Sequence, residues 1–147
     1  AVSPVGSLRW QAPAVTAFRL FLHVISASVW VGGQIVLVGL VPTVRGLGPE
    51  APRRIGTAFN RIAWPALGVA VITGMWNILA IPMNDLPHPW VELHLLAVLL
   101  SAAGAAMHTL ANGNGNPNKA LLAVGGATSS LFAVAAMYLG IMVSTTL

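Results

Sequence analysis

The chain has 147 residues, of which 56% are hydrophobic and 7% charged; soluble domains carry about 25% charged residues, so a water-soluble globular protein is excluded. Low charge combined with long apolar runs implies an integral membrane protein, and no segment outside those runs is long enough to build a second core. The net charge of +4 and the pI near 11.3 come from basic residues that mostly lie beside apolar runs, which argues for membrane topology and against nucleic-acid binding.

Residues 1–14 hold one charge, Arg9, and three helix-breaking residues, Pro4, Gly6 and Pro13, so the first helix is expected to start after them. Four spans follow, at about 15–41, 57–81, 90–111 and 120–145, each close to the ~20 residues that a ~30 Å hydrocarbon core requires. The connector at 42–56 is rich in Pro, Gly and Arg. The one at 82–89 holds three prolines and Asp85, and the one at 112–119 reads NGNGNPNK, which is turn chemistry throughout. All three are short, so consecutive helices should be antiparallel neighbours. The expected fold class is all-α, an integral membrane up-down four-helix bundle forming a single transmembrane domain over residues 1–147.

Orientation follows from the positive charges. Arg45, Arg53, Arg54, Arg61 and Lys119 fall on the side of the first and third connectors, against Arg9 and Arg19 on the other. Connectors one and three are therefore expected in the cytoplasm, with both termini on the outer side of the plasma (inner) membrane.

Histidine carries the chemistry. A titratable side chain at the centre of a membrane helix costs roughly 2.5 kcal/mol or more, and by default marks a functional site. His23 lies in span one, and His94 and His108 in span three. There is no cysteine, so thiolate ligands are excluded and imidazole is the strongest metal ligand present. His94 is four residues past Trp90, hence about 6 Å into its span. His23 enters from the same side, within about two turns of the start of span one. Spans one and three run in the same direction, so these two imidazoles are expected at matched depth. His108 is fourteen residues beyond His94, about 21 Å further along, and cannot join them at one small site.

Helical phase agrees. Arg19, His23, Ala27, Trp30 and Gln34 form one stripe, and His94, Ser101 and His108 share a face at seven-residue steps, with small residues around both. A b-type haem needs imidazole ligands from facing helices and a polar or cationic exit for its propionates. His23 and His94 would be the axial pair, with Arg19 meeting the propionates through a charge-assisted hydrogen bond. Trp30 is either a neighbour of that cofactor or a packing residue. No histidine lies at inner depth on spans one, two or four, so bis-histidine ligation allows one haem.

A copper ion is the other reading. His23, His94 and His88, with Met83 or Met75, would offer imidazole and thioether ligands of the kind Cu(I) accepts. Against both stands the plain alternative of buried neutral histidines bonded to backbone or hydroxyl groups. For His108 the plain alternatives are headgroup contact or pairing with Gln34 or Asn60. Glu92 reads as a snorkelling interfacial carboxylate. No serine sits in a histidine–carboxylate arrangement, and no Gly-rich phosphate loop is present.

The segment LFLHVISASVWVGGQIVLVGLVPTVR, with His23, Trp30, Gly32 and Gly33, resembles the first helix of CopD-like (copper resistance D domain) membrane proteins. RIAWPALGVAVITGMWNIL, with Pro65, Thr73, Gly74 and Trp76, is similar to the helix that follows there. The HemJ-type protoporphyrinogen oxidases, another four-helix group, show a similar pattern of His and Trp-Gly. The resemblance covers about half of the chain and implies copper handling or haem chemistry. Such families often carry a lysine early in the third helix, where this chain has His94, which turns the expectation from porphyrin oxidation toward a second haem ligand. The leading expectation is a membrane b-type haem protein for electron transfer or haem handling, one haem lying between helices one and three near the outer face. If the chain is an enzyme, it is a membrane oxidoreductase or redox subunit. The alternatives are a CopD-type copper transport or resistance protein, and an accessory subunit docking on a larger membrane complex through small-residue faces at Gly68, Ala70 and Gly74 and at Gly125, Ala127 and Ser130.

Overall fold

The computed structural model describes residues 5–112 and 118–147, with the backbone alone for residues 5–12. It contains α1 (Val5–Gly46), α2 (Ala51–Leu79), α3 (Trp90–Asn112) and α4 (Lys119–Thr145), with a 3-10 turn at Met83–Asp85. No strand occurs among the described residues. The four helices are each long and apolar enough to cross a bilayer; α3, the shortest at 23 residues, spans about 34 Å. The chain is all-α and integral to the membrane.

The helices form two compact units, α1 with α2 and α3 with α4. In the first, His23 lies against Gly74 while Gly33 lies against Phe59, so the helices are antiparallel. The second is antiparallel as well, with His94 against Gly140 and His108 against Gly126. Large apolar side chains such as Phe21, Val38, Ile72, Leu99 and Leu131 point away from their own hairpins, as a lipid-facing surface requires.

Helix α1 is longer than expected at both ends, starting at Val5 and running through Pro13 and Pro42 to Gly46. A proline removes one backbone bond. Pro13 and Pro42 stand near the two ends of α1, and the helix continues through each of them at the loss of that one bond. Helix α2 likewise starts at Ala51 and not near Thr57. Pro52 falls in its first turn, where the missing N–H has no helical partner to lose. The connector between them shrinks to residues 47–50, and Gly48 takes φ +117° there, a left-handed conformation that glycine adopts without steric cost. At the start of α4 the Asn118 side chain accepts from the N–H groups of Ala120 and Leu121, at 3.1 and 3.2 Å, which caps two otherwise orphaned donors. Residues 113–117 of that predicted turn lie outside the described residues.

Packing inside the hairpins is close. A Cβ added to Gly104 would stand 2.6 Å from the Ser129 amide nitrogen, and one added to Gly125 would stand 2.7 Å from that of His108. The backbones of α3 and α4 therefore touch through two glycines. Between them Ser101, only 1% exposed, donates to the Ser129 carbonyl at 2.9 Å. The α1–α2 hairpin instead packs aromatic rings, Trp30 meeting Trp64 edge-on with centroids 5.7 Å apart.

Candidate functional site

His23 is half-buried between α1 and α2. Its Nδ1 lies 2.9 Å from the Ala70 carbonyl oxygen and 3.3 Å from Thr73 Oγ1. A carbonyl oxygen can only accept, so Nδ1 carries the proton and donates it. The Thr73 hydroxyl donates to Val69 O at 2.6 Å, leaving its lone pairs toward the imidazole. With the proton on Nδ1, the lone pair of a neutral ring resides on Nε2. Gly74 makes the approach possible: a Cβ there would stand 3.0 Å from His23 Cε1.

His94 is held in the same way on the other hairpin. Its Nδ1 donates to the Ala136 carbonyl at 2.8 Å, and a Cβ on Gly140 would stand 3.3 Å from its Cε1. His108 repeats the arrangement once more. Its Nδ1 donates to the Leu122 carbonyl at 2.7 Å, and a Cβ on Gly126 would stand 3.2 Å from that Nδ1. In all three cases the accepting carbonyl is four residues before the glycine: Ala70 and Gly74, Ala136 and Gly140, Leu122 and Gly126. This carbonyl is the helical partner of the glycine's own N–H, and its second lone pair is reachable because the glycine has no side chain in the way. Donation of the second ring N–H to a backbone carbonyl is what fixes tautomer and orientation in metal-ligating histidines.

The expected stripes are thereby placed. His94, Ser101 and His108 all face α4. His23 and Trp30 face α2, with Trp30 buried in that hairpin against Trp64. Arg19 holds its guanidinium carbon 5.8 Å from the ring centre of Trp76, two residues beyond the glycine under His23. The Arg19 Nε is buried and has no hydrogen-bond partner among the described residues. A buried charged donor without an acceptor is costly, and an anionic group such as a propionate would satisfy it.

His88 meets the carboxylate of Glu92 one helical turn on, both side chains exposed. His108 bonds to a carbonyl of its own hairpin, which differs from the expected headgroup contact or pairing with Gln34 or Asn60. Gly74, Ala70 and Gly125, expected on outward docking faces, are occupied inside the hairpins by His23 and by the backbone of His108. Among the described residues, no three His, Cys, Asp or Glu side chains converge on one point.

Sequence reasoning left out the glycines as partners of particular histidines, together with Thr73. One signal was present: His94 and His108 are fourteen residues apart, and so are Gly126 and Gly140 on the antiparallel helix. Fold and side-chain geometry together define a polytopic helical membrane protein with imidazoles locked onto glycine-floored helix surfaces. Comparison with protein-family models, curated proteins and solved structures finds no match.

Proposed function

We propose that the chain is a b-type haem protein of the plasma membrane, with His23 and His94 as the axial ligands and a role in electron transfer or haem handling near the outer face. The observation that carries this reading is the shared seating of the two imidazoles. Each donates its Nδ1 proton to a helix carbonyl across a glycine, which makes Nε2 the coordinating atom of a neutral ring. Arg19, with its buried and unanswered Nε, is suited to a propionate. Haem supplies iron whose redox state the axial ligands tune; the protein's part is to hold the rings still and exclude water. Positive charge around the first and third connectors supports placing both termini outside.

Copper handling is the second reading: His23, His94 and His88, with Met83 or Met75, would offer the imidazole and thioether ligands that Cu(I) accepts. A subunit of a larger complex can carry haem too, and co-purification with a stoichiometric partner would extend the reading without displacing it. The test is the reduced-minus-oxidised absorbance of protein purified from cells supplied with haem precursors. Soret and α-bands are expected. Their absence, with copper found by elemental analysis, would transfer the site to the CopD-type reading.

A further inference from the structure

We propose that α2 carries a binding site for the phosphate group of an anionic phospholipid, in a recess lined by Arg53, Arg54 and Arg61. The recess is open and holds about 490 Å³, with Glu50, Thr57 and Ala58 completing its lining. Arg54, Thr57, Ala58 and Arg61 stand at the i, i+3, i+4, i+7 spacing, which stacks side chains along one helical face. The site therefore reaches into the third turn of α2, well past the first N–H groups of the helix. It is independent of the haem reading.

Three guanidiniums share this recess with one carboxylate. Glu50 Oε2 lies 3.7 Å from Arg53 Nη1, while Arg54 and Arg61 have no ion-pair partner among the described residues. The sequence holds nothing nearby to supply one. Of its three acidic residues, Asp85 and Glu92 lie past the opposite end of α2. Like charges on one helical face repel each other, so the recess favours an anion from outside the chain. A guanidinium meets phosphate oxygens through two parallel N–H donors. Thr57 adds a hydroxyl donor on the same face.

Depth in the bilayer points to the source of that phosphate. From Ile62 to its end at Leu79, α2 carries no charged residue. That stretch is about 27 Å of helix, close to the ~30 Å of the hydrocarbon core. Ala51 to Arg61 then fall in the headgroup layer, level with the phosphates of the lipids. The plain alternative is that these arginines serve only the positive-inside tendency. That tendency asks for positive charge beside a span in any arrangement. Arg45 on α1 answers it from the same connector without lining the recess. The gathering of Arg53, Arg54 and Arg61 at one recess is what a bound headgroup requires and topology does not.

The test titrates the chain, purified in detergent, with dioleoyl phosphatidylglycerol or dioleoyl phosphatidylcholine and reads bound lipid by native mass spectrometry. Phosphatidylglycerol should bind the wild type more tightly. A basic residue beside an anionic lipid surface is worth about five-fold in affinity, so Arg54→Gln and Arg61→Gln should each weaken phosphatidylglycerol by at least that factor. Arg45→Gln removes the same charge outside the recess and should stay near wild type. All three positions are exposed and glutamine keeps the helix propensity of arginine, so the variants should fold. Equal binding of the two lipids by wild type overturns the site. So does an equal loss in Arg45→Gln and Arg54→Gln, which would mean a diffuse surface field. Displacement of phosphatidylglycerol by an equal concentration of inorganic phosphate would overturn the lipid as the ligand.

Discussion

At the scale of single residues, what matters is how a polar ring is made tolerable inside an apolar medium and still left with something to do. An unpaired imidazole there is costly. Each of the three membrane histidines meets that cost with one bond from Nδ1 to a helix carbonyl across a glycine. The glycines are therefore part of the site, which leads to a prediction that separates site from scaffold. Gly74→Val puts branched carbon against His23, where even a Cβ would stand 3.0 Å from Cε1. Gly68→Val has the same helix propensity change, but its Cβ meets nothing within 4 Å. Haem retention on purification should fall several-fold in the first and stay near wild type in the second. Equal retention in both would mean that the ring's seating is irrelevant to binding. For the histidines themselves, His23→Ala and His94→Ala should each abolish the low-spin spectrum, whereas His108→Ala should leave that component intact. Loss of it in His108→Ala alone would move the ligand pair to the other end of the chain.

At the scale of the helices, contact between α3 and α4 depends on two absent side chains. Gly104→Val would drive a Cβ toward the Ser129 amide nitrogen, 2.6 Å away, and the Gly125 oxygen, 2.8 Å away. Backbone cannot swing aside as a side chain can, so the helices must separate, at a cost of about 1–3 kcal/mol or more. Thermal unfolding in detergent should register this as a clear drop in midpoint. Asn118→Ala removes the cap on α4 and should cost about 1 kcal/mol. An unchanged midpoint in Gly104→Val would show that the close approach is not needed.

Much at this scale was legible from the sequence. The four apolar runs fix four helices, and the seven-residue steps correctly place His94, Ser101 and His108 on one face. The ends were not legible, because Pro13, Pro42 and Pro52 read as breakers. Helix α1 runs through Pro13 and Pro42 at the loss of one bond each, and the first turn of α2 needs no N–H from Pro52. The seating of the histidines was hidden for another reason. A glycine in a membrane helix usually signals helix contact, and only knowledge of which residues lie opposite tells that Gly74, Gly126 and Gly140 each accommodate a ring.

At the scale of the whole molecule, four helices long and apolar enough to cross a bilayer are an even number of crossings, which supports the proposal that both termini lie on the outer side. The basic residues at Arg45, Arg53, Arg54 and Arg61 surround the α1–α2 connector, and the positive-inside tendency supports the proposal of a cytoplasmic connector. With no native cysteine, single-cysteine labelling is clean. Gly48→Cys should resist a membrane-impermeant maleimide in intact spheroplasts and react after lysis, and Asn84→Cys should react in both; the reverse pattern would invert the topology.

The central proposal is that His23 and His94, each donating its Nδ1 proton to a helix carbonyl, would be the two axial ligands of one haem. Near-infrared magnetic circular dichroism of the oxidised protein reads the axial pair directly. The low-spin charge-transfer band of bis-imidazole ligation is predicted in wild type, and should be absent from both His23→Ala and His94→Ala. A band typical of any other axial pair, or a bis-imidazole band that persists when either histidine is removed, would contradict it.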